Sequence, residues 1–408
     1  MATQVQTVPP MQVIAPPSQR QPELDALRGL LLVWMTLTHL PTHASEYANQ
    51  PFGFISAAEG FVFLSAVLTG KLHAQYATET RARELFRRLG ARAWRVYQYH
   101  LALLVFAFTL GAALAVWAPS LPLHNLLDFF FARPRMAIAT SLLLIYRPPL
   151  LDILPMYVLF LLATPLLLLG ARRFRWRWML GASAALWLWA QLGLRQEMYW
   201  LMTNVTGLKI PLAELGAFNL WAWQFLWAVG VWLGVEMWRG RNPFLRLPRW
   251  AIWPAIGIVI ACLLLRRDWP TAIFWSGRLA FLQDKWRLAP LRVLDAAAMC
   301  IVIWRFRAAV RWALARGPLP KIGMASIEVF SAQVVFCFLA LGLIHSPVDT
   351  QLHGWRAWTV VVLSLAGLVA VGLVQASRKL EERRQRKLAE GKLRSRSLAR
   401  SPSGKLEL

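Results

Sequence analysis

The chain has 408 residues, of which 57% are hydrophobic and only 16% charged. So apolar a composition excludes an ordinary soluble domain and predicts an all-α, polytopic transmembrane bundle. The net charge of +25 would point to nucleic acid in a soluble protein; here it fits cytoplasmic loops beside an anionic leaflet, and no nucleic-acid partner is expected.

In chain order, residues 1–22 are rich in Pro and Gln (VPPMQVIAPPSQRQP) and read as a disordered arm, with no cleavage pattern of a signal peptide. Ten spans follow, at roughly 24–41, 52–70, 97–118, 150–170, 178–194, 217–238, 250–266, 289–305, 322–345 and 356–377. Segment 124–147 is apolar but interrupted by Pro134 and two arginines. It reads as an interfacial or re-entrant element, with an eleventh span as the alternative. With the N-terminus placed inside, 33 of the 45 Lys and Arg fall in cytoplasmic segments and 11 outside. That bias predicts that both termini are cytoplasmic. The two longest outer loops, 118–149 and 266–288, are candidates for a lid. Residues 378–408 form a basic tail, expected to begin as a helix and fray. The 22 tryptophans fit interfacial belts, and Cys262, Cys300 and Cys337 lie in apolar runs that suggest neither a disulfide nor a metal site.

The first span, DALRGLLLVWMTLTH, carries Arg28 and His39. Eleven helical residues advance about 1100°, close to three turns, and rise about 16 Å. Both side chains therefore share one face, one near each membrane surface. Asp25 is spaced to pair with Arg28. Glu59 lies inside the second span, where a carboxylate is costly and usually functional. The short connection between these spans makes them antiparallel neighbours, so a His39–Glu59 hydrogen bond is expected, with His39 as general base.

Further along, RAWRVYQYH places Arg92, Arg95, Tyr97 and His100 at a membrane entry. The arginines are suited to bidentate phosphate contacts and would form a cationic floor with Arg28. In LDILPMY, Pro155 is expected to kink its span, and Asp152 and Tyr157 are polar groups near the outer surface. Their reading is divided between a helix cap with an interfacial Tyr and a substrate role. Trp223 and Gln224 are candidates for lining a cavity. Glu236, Arg292, Asp295 and Glu328 are further charges that equally suit structural ion pairs. No phosphate loop, nucleophile elbow or metal-spaced set is present in the sequence.

These segments resemble the OpgC family, whose members are proposed to succinylate osmoregulated periplasmic glucans and which belongs to the acyltransferase-3 superfamily. The resemblance covers about residues 22–377 and rests on LDALRG with its ten-residue interval to His39, FGFISAAEGFVFLS, RAWRVYQYH, LDILPMY, FNLWAWQFLWAVG and GMASIEVF. It implies a multi-pass acyltransferase of the bacterial inner membrane. His39 would serve acyl transfer, with Arg28 supporting the donor. The donor would be a cytoplasmic acyl-CoA (succinyl-CoA above all), and the acceptor a hydroxyl of a periplasmic glucan. Glu59, Arg92, Arg95, Tyr97, His100, Asp152 and Tyr157 match the family pattern by position. Ser65–Ala66 departs from the usual Ser–Gly, which puts helix approach in question, and Ser326–Ile327 departs from Ser–Leu. Two other readings stand beside the enzyme: a transporter of a small anionic solute, and a scaffold for a glucan synthase.

Overall fold

The computed structural model describes residues 21–118, 120–267, 280–344 and 351–399. The N-terminal arm through residue 20 and the middle of the 266–288 loop lie outside the described residues. Among them the fold is helical, with no strand and one isolated bridge, Thr42 with Leu352.

The first hairpin is α1 (Pro22–His39), the short outer α2 (Ala44–Ala48) and α3 (Ala57–His73). Two 3-10 turns lead to α4 (Ala82–Phe106), which runs through a π-turn, Ala107–Gly111, into α5 (Ala112–Trp117). Segment 124–147 breaks into α6 (Leu121–Leu126), α7 (Asp128–Ala132) and α8 (Pro134–Leu142). The longest of these has nine residues and a rise of about 14 Å, half of a hydrocarbon core, so no eleventh span forms here.

Next comes α9 (Ile153–Leu192), which covers two expected spans. Arg175 interrupts it with a left-handed φ of 67°. A Cβ on Gly170 would meet Met179 Sδ at 3.0 Å; nine residues of straight helix would hold those positions about 14 Å apart. The chain therefore folds back at Arg175, replacing the expected loop with a sharp turn. Pro155 does not kink this helix. It lies in the first turn, where its missing N–H has no partner to lose.

The remaining helices are α10 (Leu194–Thr206), α11 (Leu220–Trp238), α12 (Ile252–Arg266), α13 (Pro290–Arg305), α14 (Arg307–Leu314), α15 (Leu319–Met324), α16 (Ser326–Gly342) and α17 (Gly354–Ala399). The last continues through most of the basic tail as helix, where early fraying was expected.

Among the described residues, five helical segments are long and apolar enough to cross a membrane: Glu79–Trp117, Ile153–Leu192, Leu212–Trp238, Arg249–Arg266 and Gly354–Gln385. The chain is thus a helical membrane protein. The shorter helices α3, α13 and α16, of 16 or 17 residues, rise about 24–26 Å, slightly less than a hydrocarbon core.

Two glycine-lined crossings set the positions that matter. On α11, a Cβ at Gly234 would overlap the Val67 carbonyl, and at Gly230 it would meet Ala66 Cβ at 2.6 Å. The Ala66 departure is thereby accommodated: α11 supplies the missing space. Between α1 and α15, a Cβ on Gly29 would overlap the Leu319 carbonyl, and one on Gly323 that of Asp25. This close approach delivers the start of α16 to Arg28.

Candidate functional site

Helix α16 braces α1 at both ends. Arg28 Nη2 lies 2.5 Å from Ser326 Oγ, and its guanidinium stands 5.7 Å from the Phe61 ring. The Gln333 side-chain amide nitrogen lies 2.9 Å from His39 Nδ1. Ser326 and Gln333 are seven residues apart, about two helical turns, so they occupy one face of α16. Gln333 is almost fully buried, and its Oε1 has no hydrogen-bond partner among the described residues.

The expected His39–Glu59 hydrogen bond is not the arrangement found. Gly60 faces Leu31, eight residues before His39, which puts Glu59 roughly 10 Å deeper than the imidazole. Its carboxylate is occupied on both oxygens. Oε2 accepts from the Ser56 N–H at 3.0 Å and from the Ser56 hydroxyl, closing a capping box at the start of α3. Oε1 accepts from Arg292 Nε at 2.7 Å and from Arg292 Nη2. Both side chains are about 1% exposed. A second carboxylate of α13, Asp295, accepts from the Phe54 N–H at 2.8 Å. The α13 charges thus hold the turn into α3.

Arg92 donates to Thr69 Oγ1 at 3.0 Å and to the Tyr157 hydroxyl at 2.7 Å. Tyr157 is therefore level with the late turns of α3, deeper than the outer surface where it was expected. Its ring packs edge-on to Trp227, 5.2 Å between centroids. Arg95, nearly one turn along α4, is exposed and lies near Tyr99 and Glu328. Tyr97 donates to the Leu142 carbonyl at 2.9 Å. His100 is fully buried beside the Ser141 backbone.

Asp152 precedes α9 but does not cap it with its side chain. Its Oδ2 accepts from the Ala217 N–H at 3.1 Å. Arg195 donates to the carbonyls of Leu212, Gly216 and Ala217, so these two groups fix the turn before α11. Trp223 is fully buried and donates to the Trp286 carbonyl at 3.1 Å, and Gln224 binds Ser183 across the two halves of the helix pair.

Gln333, Ser326 and Arg292 are the partners that sequence reasoning did not assign. The available signal for Gln333 was its place two turns after Ser326 in an otherwise apolar helix. Among the described residues no group of His, Cys, Asp or Glu is placed to hold a metal.

A helical membrane protein whose first helix holds an arginine and a histidine on one face, each braced by one later helix, is the class this geometry defines. The chain belongs to the OpgC protein family, whose profile matches residues 20–380. No curated protein and no solved structure matches it. Family membership implies an acyltransferase.

Proposed function

We propose that the chain is a bacterial inner-membrane O-acyltransferase of the acyltransferase-3 superfamily, with ten spans and both termini in the cytoplasm. Residues 23–377 form its catalytic domain, flanked by the 1–22 arm and the 378–408 tail. It moves an acyl group, succinyl in this reading, from cytoplasmic acyl-CoA to a hydroxyl of a periplasmic glucan. The observation that carries the reading is the double brace of α16 on α1, Ser326 on Arg28 and Gln333 on His39.

His39 is the base. Turning the Gln333 amide over lets its orphaned Oε1 accept from Nδ1–H, which leaves Nε2 free to take a proton. Nε2 deprotonates the acceptor hydroxyl, whose oxygen attacks the thioester carbonyl. The new C–O bond forms, the C–S bond breaks, and the coenzyme A thiolate takes the proton back from His39. Arg28 steadies the donor. Arg92, held by Thr69 and Tyr157, and the exposed Arg95 receive its phosphates from the cytoplasmic side. Glu59 holds the α3 entry through Arg292, and its contribution to His39 is one of position. His100, buried with the Tyr97 ring beside it, is suited to an acceptor hydroxyl; Asp152 shapes the neighbouring turn.

The test is acyl transfer by purified protein in nanodiscs, wild type beside His39→Ala, with radiolabelled succinyl-CoA and acetyl-CoA and a periplasmic glucan fraction. Label on glucan with wild type alone is the expected result. Equal labelling by His39→Ala would overturn the mechanism. Solute flux without any acyl-CoA, in the absence of transfer, would favour the transporter.

A further inference from the structure

Residues 286–288, just before α13, are pinned. The Trp286 carbonyl accepts from the Asn219 N–H at 2.9 Å and from Trp223 Nε1 at 3.1 Å. Trp187 Nε1 donates to the Leu288 carbonyl at 2.9 Å, and Gln191 Nε2 to that of Arg287 at 2.9 Å. Phe218 packs edge-on to the Trp286 ring. Four side or main chains from α9 and the α11 entry thus fix residues 286–288.

Lys285 sits on this fixed turn. Its side chain is half-buried, with Nζ 4.9 Å from the Trp286 ring centroid. Among the described residues it has no carboxylate partner in an ion pair. The carboxylates whose charge reaches it, Glu59 and Asp152, are engaged elsewhere, on Arg292 and on the Ala217 N–H. Its charge also reaches His39. A partly desolvated cation on a fixed turn, with no ion-pair partner among the described residues, is arranged to meet an anion, because partial burial strengthens such a contact and the fixed turn lowers its ordering cost.

We propose that Lys285 is the specificity-determining residue on the outer side of His39, binding a carboxylate or similar small anionic group carried by one of the two substrates. The inference rests on the acyltransferase reading. The anion has two possible sources: the far end of a dicarboxylic acyl chain, or an anionic substituent on the glucan.

The test compares wild type, Lys285→Gln, Lys285→Met and Lys285→Arg in nanodiscs, each with succinyl-CoA or acetyl-CoA and with neutral or anionically substituted glucan. A charge-assisted hydrogen bond predicts that both neutral variants lower the succinyl-to-acetyl ratio about tenfold or more, and that Lys285→Arg restores it. A fall confined to the anionic-over-neutral glucan ratio supports the same site with the acceptor as its source. Two neutral variants guard against a folding defect in one, since lost fold lowers all four rates together and leaves the ratios unchanged. Unchanged ratios in both neutral variants, with wild type active, overturn the proposal alone. No transfer by folded wild type from either donor overturns the acyltransferase reading and this inference with it.

Discussion

Removing either member of the Glu59–Arg292 pair should cost far more stability than removing both. Each side chain is about 1% exposed, and the Glu59 carboxylate accepts from Arg292 through two nitrogens. Leaving one charge buried alone costs about 3–5 kcal/mol. Glu59→Gln keeps the capping box with Ser56 in principle, since Gln serves at that position, but it strands the Arg292 guanidinium. Arg292→Met strands the carboxylate. The double variant Glu59→Gln/Arg292→Met buries no charge and should recover to within about 1–2 kcal/mol of wild type. Denaturant unfolding in mixed micelles, followed by tryptophan fluorescence, reads all four proteins. Glucan acylation is measured on the same samples. Single variants as stable as wild type would refute the energetic argument. A double variant that is stable but cannot transfer acyl groups would refute the positional role and return Glu59 to the chemistry.

Three further outcomes follow from other contacts. Gln333→Ala frees the His39 ring and should lower kcat about tenfold, with little change in the KM for the donor; Ser326→Ala should do the reverse, raising donor KM through Arg28, and steady-state kinetics separate the two. Gly323→Val drives a side chain into the Asp25 carbonyl and should destabilise the α1–α15 crossing by about 1–3 kcal/mol, which thermal unfolding detects. Burial lowers the pKa of Lys285 from 10.5, opposed by Glu59 and Asp152 and reinforced by Arg292. The ammonium is charged below that lowered value, so the succinyl-to-acetyl ratio should be highest at neutral pH and fall as pH rises through it. Lys285→Arg should abolish this alkaline fall, and a fall that persists in Lys285→Arg would assign it to another group.

The sequence made the helices legible because apolar runs report burial directly, and the positions of Arg28 and His39 followed from helical period alone. Their partners did not. Gln333 is 294 residues from His39 and Arg292 is 233 from Glu59, and no period links residues on separate helices. Proximity in the chain misled instead: α1 and α3 are neighbours, yet the depth at which Gly60 meets Leu31 separates Glu59 from His39. The same limit applies to Tyr157, whose level was set by Arg92 on α4. The fold-back at Arg175 was hidden because a left-handed arginine leaves no compositional mark.

The long final helix has a consequence for biosynthesis. Over 46 residues α17 extends about 69 Å, and its Lys379 donates to the Met324 carbonyl and, at 2.8 Å, to Glu328. Those contacts secure the start of α16, the helix that braces Arg28 and His39. The setting of α1 thus depends on a residue made long after it in translation. A chain cut before Lys379 keeps both Arg28 and His39 yet loses this fastening of the helix that braces them.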